Sequence, residues 1–366
     1  MNRRALLASL GSLAFAGCTT GDGAGTATTT AAPTTERRTT DPPTATDAET
    51  PTEPETTAAP ATPDVGVPPS EAAGPPWDDD VRRVVAWPDA EETAIRLEPP
   101  RRRGSLPETK FEFSLTNDTG VRFAFNPYGW SVWKRVDGDW YRLAPVYWPE
   151  PLQYLPPGES HTWTVTVDNG RLDGSPLPNA QGTSSLTFAG FGGGTYAFVI
   201  DGWFATEDYE SGVGFAARFE LDGDPVELAP TNEVTATARE GDTVVVDAQF
   251  ETDSAPKGDA FVVDRVDGET VDGEADVRRV IPEQAIRDQR LRNTLPFFED
   301  GVETVRLVPT DSSWPIFGAG DGVIQYEGAR YRLTMVDGAA TETSVAEPET
   351  AEPNETATET TETTTK

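Results

Sequence analysis

Apolar and polar residues alternate with a period of two through much of the middle of the chain. Lys110-Phe111-Glu112-Phe113-Ser114-Leu115 is one instance, and it ends at Asn117-Asp118-Thr119-Gly120. Alternation of this kind sends every second side chain to the same face, so it predicts a half-buried strand followed by a turn. The segments Val121 to Phe125, His161 to Val167, Ser185 to Phe188, Thr195 to Ile200 and Phe215 to Leu221 repeat the pattern. Between Ser131 to Val136 and Asp139 to Leu143 stands Asp137-Gly138. That pair readily takes the positive φ of a tight primed turn, so a β-hairpin is expected there. Pro156-Pro157-Gly158 marks a further turn ahead of His161. Short alternating strands divided by Gly and Pro turns predict a mainly β fold with two packed sheets.

From Thr231 onward the pattern is more mixed. Val244 to Phe250 reads as a strand, the stretch Ala260 to Gly268 echoes "WSVWKRVDG", and Ala329 to Leu333 echoes "GTYAF". Pro282 to Arg292 instead reads as helical, with the proline at a permitted first-turn position. Two versions of this region stay open: a diverged copy of the first sandwich carrying a helical insertion, or a small α+β domain.

At both ends the alternation stops. Residues Thr19 to Pro76 hold 17 threonines and no aromatic, and Ala339 to Lys366 is Thr, Glu, Ala and Pro, again without an aromatic. Such segments bury too little apolar surface to offset their ordering entropy, and are expected to be disordered. As a flexible coil the first would span roughly 40 to 45 Å, and fully extended about 180 Å. The residues Trp77 to Gly338 contain 32 of the 33 aromatics, enough chain for two ordinary domains. The expected boundaries are 1–17 export signal, 18–76 stalk, 77–228 β-sandwich, 229–338 second β-rich domain and 339–366 acidic tail.

The export signal rests on the order of its residues. Arg3 and Arg4 precede an apolar run from Ala5 to Ala16, then Gly17 and Cys18, the only cysteine of the chain. Twelve residues as a helix rise about 18 Å, short of the ~30 Å hydrocarbon slab, so the run does not span a membrane. The arginine pair resembles a Tat-type signal. Phe15-Ala16-Gly17-Cys18 resembles the lipobox of exported lipoproteins, and that resemblance implies cleavage before Cys18, a lipid on its sulfur and a location on the extracellular face of the cytoplasmic membrane. A second resemblance lies in "FEFSLTNDTG", "WSVWKRVDGDWYRL", "LPPGESHTWTV" and "GTYAFVIDG". Taken in order, these are similar to motifs of bacterial immunoglobulin-like domains of surface and lipid-anchored proteins, which implies an immunoglobulin-like β-sandwich over about Ile95 to Leu221.

Charge narrows the partners. The formal net charge is −33, from 62 acidic against 29 basic residues, and only Lys110, Lys134, Lys257 and Lys366 among the basic residues are lysine. Nucleic acid is excluded as a partner, because backbone binding needs clustered cations to displace counterions. An acidic, lysine-poor composition resembles that of secreted proteins of halophilic archaea, where salt screens the self-repulsion. One cysteine leaves no internal disulfide, so stability must come from the core.

Little in the sequence points to catalysis. Ser-His-Asp chemistry needs a histidine beside the nucleophile, and the one histidine, His161, is expected on an edge strand. One histidine and one cysteine fall short of a blue-copper or zinc site. Asp168-Asn169-Gly170 with Asp173-Gly174, and Asp222 with Asp224, offer oxygens to calcium without the spacing of a 12-residue EF-hand loop, and are read as solvated turns. No cofactor or metal is expected. Nine aromatics fall from Tyr128 to Trp163 inclusive, and Trp133, Tyr141, Tyr147 and Trp148 are the candidate binding surface for a glycan or an envelope protein. Asn117 and Asn354 begin N-glycosylation sequons, the first in an expected accessible turn. The reading is a non-enzymatic, membrane-anchored surface protein for adhesion or envelope interaction, with a solute- or glycan-binding lipoprotein as the alternative.

Overall fold

The computed structural model describes residues 60–87, 92–145, 148–172, 183–249, 259–266, 277–310, 315–317, 320 and 322–337. Arg3, Arg4, Cys18, Tyr147, Asp173 and Asn354 lie outside the described residues. The protein is mainly β. Its first part is two sheets face to face. One runs in the order β1 (Val81–Trp87), β12 (Gly212–Asp222), β11 (Gly194–Phe204), β5 (Phe123–Phe125), β8 (Gln153–Leu155). To this sheet are added β3 (Arg103–Ser105) on β12, β6 (Ser131–Val136) on β11, and β7 (Asp139–Ala144) on β6. The other runs β10 (Ser185–Phe188), β9 (Ser160–Asp168), β4 (Glu108–Asn117), β2 (Ile95–Glu98).

The alternation seen in the sequence explains how the sheets meet. In β4, Phe111, Phe113 and Leu115 point inward while Glu112 and Ser114 face out. In β11 the inward set is Tyr196, Phe198, Ile200 and Phe204. Phe113 stacks on Phe198 across the gap at 4.6 Å between ring centres, and Trp163 meets Phe198 at 5.5 Å. Aromatic pairs in such geometries add to the burial of their large apolar surfaces. The hairpin at Asp137-Gly138 is present, with φ of 53° and 100°.

One boundary differs from expectation. The stretch 60–76, expected as the end of a disordered stalk, is fixed to the head. Val65 is buried in the sandwich core, and Val67 exchanges backbone hydrogen bonds of 2.9 and 2.8 Å with Val84. Trp77 then lies across the outer face of the first sheet, where its ring takes the space a side chain on Gly214 would need. Head structure thus begins ahead of Trp77, because a few apolar residues in a threonine-rich stretch suffice once a sheet is there to receive them.

The second part is one mixed sheet, with no second sheet facing it among the described residues. Its order is β13 (Val234–Glu240), β14 (Thr243–Ala248), β17 (Thr304–Thr310), β15 (Asp259–Arg265), β19 (Ala329–Val336), β18 (Val323–Tyr326), β16 (Arg278–Arg279). The α+β version therefore describes it, and the diverged sandwich copy does not. The echo in the sequence has a limited structural counterpart: β15 pairs antiparallel with β19, as β6 does with β11. The expected helix is two single turns, α1 (Pro282–Ala285) and α2 (Gln289–Arg292). Asp288 divides them: its side chain accepts from Arg290 N and Leu291 N and so caps a new helical start.

Candidate functional site

The expected aromatic surface is split by the pleat of the hairpin. Trp133 lies opposite Arg142 in the β6–β7 register, and Lys134 lies opposite Tyr141. Trp133 and Tyr141 therefore stand on opposite faces. On the outer face Trp133 joins Trp140 and Trp77 over Ala197, Val199 and Ala216, and its indole N–H donates to Ser131 Oγ at 2.8 Å. Tyr141 and Trp148 are each partly buried against the sandwich core. The Arg279 guanidinium lies 5.6 Å from the Tyr141 ring centre, and Arg142 lies 4.8 Å from that of Trp148. These rings already stack on cations of the same chain, so the structure does not gather Trp133, Tyr141 and Trp148 into one open platform.

Asn117 is a second correction. It is 0% exposed, and its amide nitrogen donates to Val121 O at 2.9 Å and Leu155 O at 3.0 Å. Its carbonyl oxygen accepts from the backbone and hydroxyl of Thr119. The residues that form the sequon thus pin the turn after β4, and the nitrogen a glycan would need is spent. His161 also departs from expectation. Its strand β9 lies between β10 and β4, not at an edge. The ring packs 4.4 Å from Trp163 and its Nε2 is 3.1 Å from Ser184 Oγ. Burial pushes the imidazole below its ordinary value. At the Asp168 turn, read from the sequence as solvated, Asp168 accepts from Gly170 N and Asn169 bonds to both backbone groups of Phe191, so these side chains hold the loop itself. Among the described residues no group of three or more His, Cys, Asp or Glu side chains is placed to hold a metal ion.

The densest polar arrangement lies where the two parts meet, and sequence reading passed over it. Lys134 on β6 is 8% exposed and Glu283 on α1 is 2% exposed; they form an ion pair across the seam. The same carboxylate oxygen accepts from Gly192 N at 3.2 Å. Arg287, 3% exposed, donates to Ala189 O and Gly190 O of the sandwich at 2.6 and 2.7 Å, and to Glu283 O at 2.6 Å. Its guanidinium also lies over the Phe191 ring at 4.6 Å. Burial lowers its pKa to about 10. Gln284 donates to Arg142 O, and Arg292 to Leu172 O and Ala229 O. Tyr196, whose hydroxyl donates to Gly192 O, is pushed well above the ordinary tyrosine range by burial, and then by the nearby Glu283. The one signal in the sequence was Lys134 itself, a rare lysine on an otherwise apolar strand face.

Beside this network the seam opens into a cleft of about 450 Å³. Val136, Val226, Val280, Ile281 and two prolines line it, together with Lys134 and Glu283. Arg279, Gln325, Glu327 and Gly328 complete the lining, and all of these but Gln325 are exposed. Arg279 is held by Asp137 at 2.6 Å.

No protein-family model matches the chain, and no curated protein does either. Among solved structures it is similar to a PapD-like domain of human CEP192, with 14% identity and a TM-score of 0.20, covering 37% of this chain and 89% of that one. The periplasmic chaperone SfaE matches at 10% identity and a TM-score of 0.20, over 48% of this chain and 77% of the chaperone. A transglutaminase of red sea bream matches at 10% identity and a TM-score of 0.22, over 48% of this chain and 23% of the enzyme.

Proposed function

We propose that the protein is a lipid-anchored, non-enzymatic surface protein, held at Cys18 on the extracellular face of the cytoplasmic membrane and presenting its β-rich head for adhesion or envelope interaction. The observation that carries this is the order at the start of the chain: Arg3-Arg4, a short apolar run, small residues, then the sole cysteine. The threonine-rich segment after it is the tether, long enough to lift the head some tens of ångströms. The way the chain joins the head supports the reading. Val65 is buried and Val67 pairs with Val84, so tension on the tether would load backbone hydrogen bonds and not a loose loop.

The acidic composition fits a head that works in concentrated salt, where exposed charges are screened. The only histidine is engaged with Trp163 and Ser184, which supports a presenting role over acyl-transfer catalysis. The test is fractionation of cells producing the wild type or Cys18→Ser. The wild type is expected in the membrane fraction, released by detergent, and the variant in the medium or retained as uncleaved precursor. Wild-type protein free in the medium would overturn the proposal.

A further inference from the structure

The cleft along the seam is a built feature with a distinct chemical character. Its volume of about 450 Å³ falls within the ~300 to 1,000 Å³ range of small-molecule sites, which favour domain junctions. Its walls are aliphatic, and no aromatic ring is among the residues that line it. An aliphatic body finds contact there, whereas a sugar ring finds no stacking platform. The charged lining is balanced: Lys134 and Arg279 against Glu283 and Glu327.

The two inner charges satisfy each other, since Lys134 and Glu283 are ion-paired and nearly fully buried. The two outer ones, Arg279 and Glu327, are exposed. Arg279 is fixed by Asp137, in the β6–β7 turn, and that bond engages one of the five N–H groups of its fork. Glu327 sits in the β18–β19 turn at φ 47°, a region that glycine and asparagine occupy far more readily than glutamate. Retaining a glutamate there has a conformational cost, and an outlier of this sort is a reason to look for a role. A lone anion on Arg279 would share the cleft with Glu327, and a lone cation on Glu327 would share it with Arg279. A molecule with one charge of each sign meets neither repulsion.

We infer that this cleft binds a small aliphatic zwitterion, of the size of an amino acid or a dipeptide, its carboxylate on Arg279 and its ammonium on Glu327. The site is independent of the membrane anchor, so its test and the test of the anchor succeed or fail separately. Isothermal titration and thermal melting of the full chain in concentrated potassium chloride would use L-leucine and L-valyl-L-leucine as probes. Isovalerate and isopentylamine, which carry one charge each, serve as controls. At least one zwitterion is expected to bind and raise the melting temperature. Each single-charge analogue is expected to bind at least about tenfold more weakly, because it forfeits one charge-assisted contact. Arg279→Gln and Glu327→Gln are each expected to weaken binding by a similar factor and to move the unliganded melting temperature little, since both residues are exposed and the Arg279–Asp137 pair lies at the surface. The inference is overturned if neither zwitterion binds, if isovalerate or isopentylamine binds equally well, or if both Gln variants bind as tightly as the wild type.

Discussion

The sandwich and the second sheet bury opposite kinds of side chain. Between its two sheets the sandwich packs Phe111, Phe113, Phe123, Phe125, Trp130, Trp163, Phe198 and Phe215. The second sheet has a core mostly of valine and leucine, with Phe261, Tyr326 and Tyr331 among them, and it is covered by a helical segment with a run of buried polar residues: Glu283, Gln284, Arg287, Asp288, Arg292, Asn293 and Thr294. The aromatic core is built almost wholly from the sandwich's own residues, with Ile281 of the second part packed into it. The polar segment needs partners outside itself, because buried charges and amides are tolerated only when paired. Many of its partners are groups of the sandwich: Lys134, Gly192 N and the carbonyls of Ala189, Gly190, Arg142 and Leu172. The lesson is that the second part is completed by the first, and the dependence is written in hydrogen bonds.

The sharpest way to break this contrast is Arg287→Met. The change keeps much of the side-chain volume but leaves the backbone carbonyls of Ala189, Gly190 and Glu283 without their donor. Buried carbonyls left without a donor cost about 1–3 kcal/mol each, so with three of them this should be the largest loss of the set, read in denaturant unfolding monitored in concentrated salt. A cost under about 1 kcal/mol would show that the seam is not held by these groups.

Asn117→Ala should be next. It removes an amide that joins β4 to the turn after it and to Leu155, and the buried carbonyls it leaves cost roughly 1–3 kcal/mol. Mass analysis of the folded wild type should find no glycan on Asn117, and occupancy there would contradict its burial. Phe198→Leu probes the other side of the comparison. An apolar swap in a well-packed aromatic core should cost about 1–1.5 kcal/mol, less than Arg287→Met although Phe198 is itself fully buried.

The smallest effect is a pH step. Burial lowers the pKa of His161 below its ordinary 6.5, so between the two values the unfolded chain binds more protons than the folded one. The contribution is intact above 6.5 and is lost as pH falls through the folded value. Because the ring is half-buried the step is modest, and His161→Gln should flatten it in a series of melts between neutral and mildly acidic pH. An unchanged profile in the variant would assign the step to other groups.

Strands that alternate were legible before any coordinates. Ser185 to Phe188 was read with the bounds it has as β10, and the Asp137-Gly138 hairpin was placed on its turn residues. What escaped was whatever lacks a period. β1 is covered on both faces and pairs in parallel with β12, so Val84, Val85, Ala86 and Trp87 show no alternation to read. Trp133 and Tyr141 were grouped as a surface by their nearness in sequence, and the pleat separates them. Asn117 matched a short motif whose meaning depends on exposure, which a motif does not carry. The segment Pro282 to Arg292 reads as helical, but its burial carries no local sign because it is supplied by residues some 90 to 150 positions earlier. Hydrogen-bond partners at that separation leave no local pattern.

Val65 and Val67 are where the chain ahead of Trp77 joins the sandwich. The account as a whole stands on the chemistry of Cys18, and intact mass spectrometry of the membrane-extracted protein tests it most directly. The predicted result is a chain starting at Cys18 with the added mass of a diacylglycerol-type lipid. A chain that starts elsewhere, or a Cys18 that still carries its free thiol, would contradict the account.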